Sequence, residues 1–164
     1  RSHCDWSSDV CSSDLVLALP EPIGVIGVIS PDDAPLLSMV SLLSPALAMG
    51  NTVVLVPSER YPLVATDFYQ VLDTSDVPVG AINFVTGPKD VLARVLAEHE
   101  DVDAVWYAGH AGLAEIIERL SVGDWRQTWV TAGQRNWADP AVGEGREFLR
   151  RATQVKNLWM PYGE

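Results

Sequence analysis

Residues 45–63, PALAMGNTVVLVPSERYPL, decide the fold, because a helix end, a buried strand and a polar turn follow one another with almost no slack. Thr52 to Val56 is β-branched and apolar throughout, as expected of a strand covered on both faces. Gly50 and Asn51 break the preceding helix, and Pro57, Ser58 and Glu59 set a polar corner just past the strand's carboxyl end. In open α/β sheets ligands bind at that end.

Working outward, the chain alternates strand and helix. Ile23 to Ser30 reads as a strand with two close-packing glycines, and Pro31, Asp32 and Asp33 form a turn whose carboxylates cap the next helix, Ala34 to Met49, with Pro45 as a kink near its last turns. Pro62 opens a helix through about Asp73, followed by a strand at Ala81 to Thr86. A helix lined by Val91, Leu92, Val95 and Leu96 leads to a strand at Asp103 to Tyr107. After Gly109 a helix, Ala111 to Leu120, leads to a fifth strand, Arg126 to Thr131. Four crossovers in a row predict a doubly wound, mainly parallel, Rossmann-like α/β sheet of about five strands. Residues 132–145 are loop-like and mark a domain boundary; Glu147 to Ala152 forms a short helix, and Thr153 to Met160 a strand that leaves the sheet to meet something else.

Composition narrows the function classes. The formal net charge is −11, which excludes nucleic acid and anionic membrane surfaces as partners. The longest apolar runs, Val16 to Leu19 and Ile23 to Ile29, fall well short of the roughly 20 residues of a membrane-spanning helix, so a soluble, cytoplasmic protein is expected. At 164 residues and 48% hydrophobic there is room for one real core.

The first 14 residues, RSHCDWSSDVCSSD, differ in kind: Ser- and Asp-rich, aperiodic, and holding both cysteines. Cys4 to Leu15 resembles the in-frame translation of a short-read sequencing adapter, so residues 1–14 are set aside as a disordered passenger. Neither a Cys4–Cys11 disulfide nor a metal site with His3 is expected, since no second ligand pair exists elsewhere.

The usual dinucleotide fingerprint is absent, with only Gly24 and Gly27 inside the first strand. Five ordered segments, EPIGVIGVISPDDAPL, PALAMGNTVVLVPSERYPL, VPVGAINFVTG, HEDVDAVWYAGH and TWVTAGQRN, resemble the cofactor domain of the aldehyde dehydrogenase family from about Glu21 to Asn136. The tail FLRRATQVKNLWMPYGE is similar to that family's extreme C-terminus, a strand used in subunit association. Between Asn136 and Phe148 stand about a dozen residues where a complete member has its catalytic domain. The resemblance thus divides the chain into an NAD(P)-binding-like domain, 15–136, and a linker and association segment, 137–164. It is most like the degenerate second unit of double-unit members, where the catalytic cysteine is lost.

Carried over residue by residue, the resemblance leaves no catalytic group. The family's nucleophile is a cysteine, and none stands beyond Cys11. Its oxyanion-stabilising asparagine falls at Asp33, whose carboxylate repels a developing alkoxide, and its general-base glutamate falls at Thr131. The ribose-holding lysine is Val56, while Glu59 in the Pro57-Ser58-Glu59 corner remains, either as a ribose ligand or as a solvated turn residue. The Gly-Ser pair that contacts pyrophosphate is Gly109-His110, where His110 either donates to phosphate or is a plain loop residue; Lys89, at a lost glycine, is a further phosphate attractor. Candidate cofactor-binding residues are therefore Ser58, Glu59, Gly109 and His110, for an NAD or NADP whose binding is weakened or lost.

Other side chains read plainly. Asp32 and Asp33 are caps rather than a paired-carboxylate site, His99 is a surface residue, and no serine sits in a hydrolase elbow. Trp125, Trp129, Trp137 and Trp159 bury apolar area near the fifth strand and at a subunit contact. Two functions follow: a non-catalytic structural or association unit of an aldehyde oxidoreductase, oligomeric with a family subunit or an upstream unit, or an NAD(P)-binding unit whose catalytic residues come from another unit.

Overall fold

A computed structural model describes residues 14–124 and 126–161. The expectations for the first 13 residues, with both cysteines, and for Trp125 fall outside them; Asp14 is already the first residue of a strand.

Five strands form one wholly parallel sheet: β2 (Val25–Ile29), β3 (Thr52–Val56), β4 (Ile82–Phe84), β5 (Ala104–Gly109) and β6 (Gln127–Ala132), in the order β4-β3-β2-β5-β6. The order reverses direction between β3 and β5 around β2, which opens a crevice at the carboxyl ends of β2 and β5.

Helices cover both faces. On one side α1 (Pro35–Ala48) and α2 (Leu63–Asp73) pack on Ile26, Val28, Val53, Leu55 and Trp106 through Met39, Leu42, Leu43 and Ala65. On the other, α3 (Lys89–Glu98) and α4 (Ala111–Leu120) cover Ile29, Val56, Val105 and Tyr107 through Ala93, Leu96, Leu113 and Ile117. Strands buried on both faces read as unbroken apolar runs, hence TVVLV and AVWYA. Gly27 fits this packing: a Cβ there would lie 3.3 Å from the Leu96 side chain.

The C-terminal part folds back on the first layer. Trp137, ahead of α5 (Pro140–Gly143), and Phe148 and Ala152, within and just after α6 (Arg146–Arg151), are buried in the α1 layer against Trp106 and Trp129. Trp129 stands edge-on to both Trp106 and Phe148, with ring centroids 5.1 and 5.0 Å apart. Asn51 fastens this layer from inside: its Oδ1 accepts from the amides of Ile23 and Gly24, and its Nδ2 donates to the carbonyls of Ala46 and Ala152.

One strand escapes the alternation. β1 (Asp14–Pro22) pairs antiparallel with β7 (Thr153–Pro161), from Asp14 opposite Pro161 to Pro22 opposite Thr153, in a separate two-stranded ribbon. The C-terminal strand does leave the sheet, as expected, and what it meets is the chain's own beginning. Leu15, Leu17, Leu19, Val155, Trp159 and Met160 are exposed on this ribbon.

The capping expectation for Asp32 and Asp33 is corrected. Ala34 holds the cap position of α1 in the left-handed region, φ 48°, and no side chain caps the helix. That reversal turns the two acids away from the α1 amides, and Asp32 is engaged elsewhere. Among the described residues no helix is long and apolar enough to cross a membrane.

Candidate functional site

A cleft of about 530 Å³ opens where the carboxyl ends of β2, β3, β5 and β6 converge. Asp32 and Asp33 follow β2, Glu59 and Arg60 follow β3, Gly109 ends β5 and His110 follows it, and Gly133 to Arg135 follow β6; Lys89 and Asp90 of α3 and Tyr107 complete it. Four carboxylates, Asp32, Asp33, Glu59 and Asp90, face three cations, Arg60, Lys89 and Arg135.

Asp32 is the hub of one wall. Its Oδ1 accepts from Ser58 Oγ at 2.6 Å and from Lys89 Nζ at 2.7 Å. Burial pushes the carboxyl up, but the hydrogen bonds from Lys89 and Ser58 and the Lys89 charge outweigh it and hold Asp32 below the ordinary carboxylate value. Glu59 reaches the same corner: its Oε2 accepts from the Lys89 backbone amide, 3.2 Å away, and so caps the first turn of α3.

The sequence-predicted residues separate into two groups. Glu59, Gly109 and His110 all line the cleft. Ser58 is buried beneath it, donating to Asp32 and accepting from the Tyr61 amide at 3.1 Å, a frame for the turn. Lys89 lines the cleft with its ammonium already paired to Asp32, so it meets an incoming anion as half of an ion pair. Asp33 is exposed on the cleft, whereas Thr131 on β6 lines a small adjoining pocket, its hydroxyl 3.5 Å from the Tyr107 carbonyl.

Two contributors escaped sequence reasoning. Tyr107 is 5% exposed, and its hydroxyl lies beneath Gly109: a Cβ on that glycine would stand 2.2 Å from Tyr107 Oη. Burial, with the nearby carboxylates of Asp90 and Asp32, raises the Tyr107 pKa and keeps the phenol protonated. The available signal was a polar-tipped residue two positions before the glycine that ends a buried strand.

The other is Arg135, which closes the far end. Its guanidinium lies 4.8 Å from the Phe148 ring centre and 5.5 Å from those of Trp129 and Trp137, while Nε donates to the Val142 carbonyl at 2.6 Å and Nη2 to Glu147 at 3.1 Å. A strand-end arginine followed by Trp137 was the trace of it in the sequence.

The family model described as the aldehyde dehydrogenase family matches residues 6–137. The chain is similar to a 2-hydroxymuconic semialdehyde dehydrogenase of Pseudomonas putida, 45% identical over 116 residues that make up 70% of this chain and 24% of that protein. A betaine aldehyde dehydrogenase of Bacillus subtilis (strain 168) is 36% identical over 71% of this chain and 24% of its own length. Among solved structures, an indole-3-acetaldehyde dehydrogenase in apo form matches with a TM-score of 0.71 and 32% identity, over 78% of this chain and 30% of that one. A mutant of Aldehyde Dehydrogenase C from Pseudomonas syringae, solved with NAD+ and octanal, matches with a TM-score of 0.70 and 30% identity, over 73% of this chain and 25% of its own. The chain spans about a quarter of the length of the curated relatives it matches.

Proposed function

The chain belongs to the aldehyde dehydrogenase family, and from that premise we propose that it is a cofactor-holding unit that carries out no aldehyde chemistry of its own. The observation that carries this reading is the contrast within one sheet end. The cleft between β2 and β5 is open and lined by Glu59 and Gly109, while Thr131, which has no group able to take a proton near neutral pH, lines only a small adjoining pocket and Asp33 presents a carboxylate where a developing alkoxide would need a donor.

The residues fit a dinucleotide. Gly109 leaves the backbone bare where α4 begins, and a side chain there would strike Tyr107. At the other wall Glu59 Oε2 is used by Lys89, and its second carboxylate oxygen meets no partner among the described residues, which suits a ribose hydroxyl. NAD+ or NADP+, when bound, supplies a hydride acceptor; the chain's own residues only seat and orient it. Lys89, tied to Asp32, replaces part of the attraction lost with the lysine absent at Val56, so weaker binding than in a complete member is expected.

Calorimetric titration of the full chain with NAD+ tests the reading. Saturable heat that falls in Glu59→Gln supports it, and no heat and no melting shift at millimolar NAD+ would retire it.

A second reading, a purely associative unit, is favoured by the β1–β7 ribbon, where Trp159 is 65% exposed among other apolar side chains. Its partner would be another family subunit or a second copy, in a soluble, cytoplasmic assembly. Sedimentation of the full chain against Trp159→Arg separates monomer from assembly.

A further inference from the structure

We propose that the Tyr107 hydroxyl is a ligand for a phosphate group entering the cleft at the start of α4. This rests on reading the cleft as a dinucleotide site and adds a contact of this chain's own.

The argument is one of unmet hydrogen-bonding capacity. Tyr107 belongs to the core, on the sheet face covered by α3 and α4, and its ring is held among Leu113, Val56 and neighbouring apolar side chains. A buried phenol normally finds a partner for its proton. Here the hydroxyl makes no hydrogen bond among the described residues. The hydroxyl borders the cleft, so the missing acceptor would come from there.

Three features make that acceptor a phosphate oxygen. The hydroxyl sits at the mouth of the ten-residue helix α4, whose first amides and dipole favour an anion. Gly109, directly above it, offers no side chain to shield the phenol. A neutral donor also suits a cleft in which carboxylates outnumber cations.

The test is calorimetry on the full chain and on Tyr107→Phe, which keeps the ring and removes only the oxygen, with NAD+, inorganic pyrophosphate and adenosine as probes. Matching melting curves establish that the variant is folded. Tyr107→Phe is expected to weaken NAD+ and pyrophosphate about ten- to a hundredfold, the worth of one hydrogen bond to a charged group, and to leave adenosine unchanged. Wild-type binding of NAD+ with equal or tighter binding by Tyr107→Phe would overturn the proposal and leave the dinucleotide reading standing. Tyr107-dependent binding of pyrophosphate without any heat from NAD+ would uphold the phosphate contact and retire the dinucleotide reading. No heat from either phosphate probe would overturn both.

Discussion

Lys89 Nζ lies 2.7 Å from Asp32 Oδ1, joining the turn after β2 to the first residue of α3 across the wall of the cleft. The lysine side chain is largely buried and the aspartate partly exposed, so solvent screens the pair and its worth is modest. Lys89→Met is expected to lower stability by about 1 kcal/mol in urea titrations.

The same pair sets an acid dependence. Asp32 in the folded chain ionises below its ordinary value of 3.8, so its contribution is fully present above that pH and is lost as the pH falls through the folded value. Wild type should therefore lose stability below about pH 4 more steeply than Asp32→Asn, measured as urea midpoint against pH. Parallel curves for the two proteins would count against it.

Asn51 makes four hydrogen bonds from a site 4% exposed to solvent. Asn51→Ala leaves the Ile23 and Gly24 amides and the Ala152 carbonyl without their side-chain partner, while Ala46 keeps the Asn51 backbone amide, and the expected loss is about 3 kcal/mol by chemical denaturation. Exchange of the Ile23 and Gly24 amides should quicken in the same variant.

Arg135 stacks on Phe148 and bridges Val142 and Glu147, a combination that needs a planar fork. Arg135→Lys keeps the charge yet is expected to cost about 1–2 kcal/mol and to change the emission of Trp129 and Trp137.

Much of the sheet was legible from residues alone, because burial on both faces writes itself as continuous apolar sequence. Thr52–Val56 and Ala111–Leu120 lie where the pattern put them. β1 was not legible: Val16 to Leu19 is a short run beside an aperiodic segment, and its partner, Lys156 to Trp159, is about 140 residues away in sequence. No local period records so distant a pairing.

Of the site, sequence located the strand-end corners but not the bonds across them. Glu59, Gly109 and His110 stand at carboxyl ends that the α/β alternation predicts, and all three line the cleft. Asp32 looked like a cap because acids before a helix usually are; the left-handed turn at Ala34 redirects it to Ser58 and Lys89. Tyr107 looked like core because it is core, and only its oxygen belongs to the cleft.

The most direct test of the central claim is a single-turnover assay: full chain at high concentration, saturating NAD+ and a simple alkanal, with NADH followed spectroscopically and NAD+ binding measured on the same sample. NAD+ should bind and no NADH should form. Stoichiometric NADH from the chain alone would contradict the claim that this cleft seats a cofactor without oxidising an aldehyde.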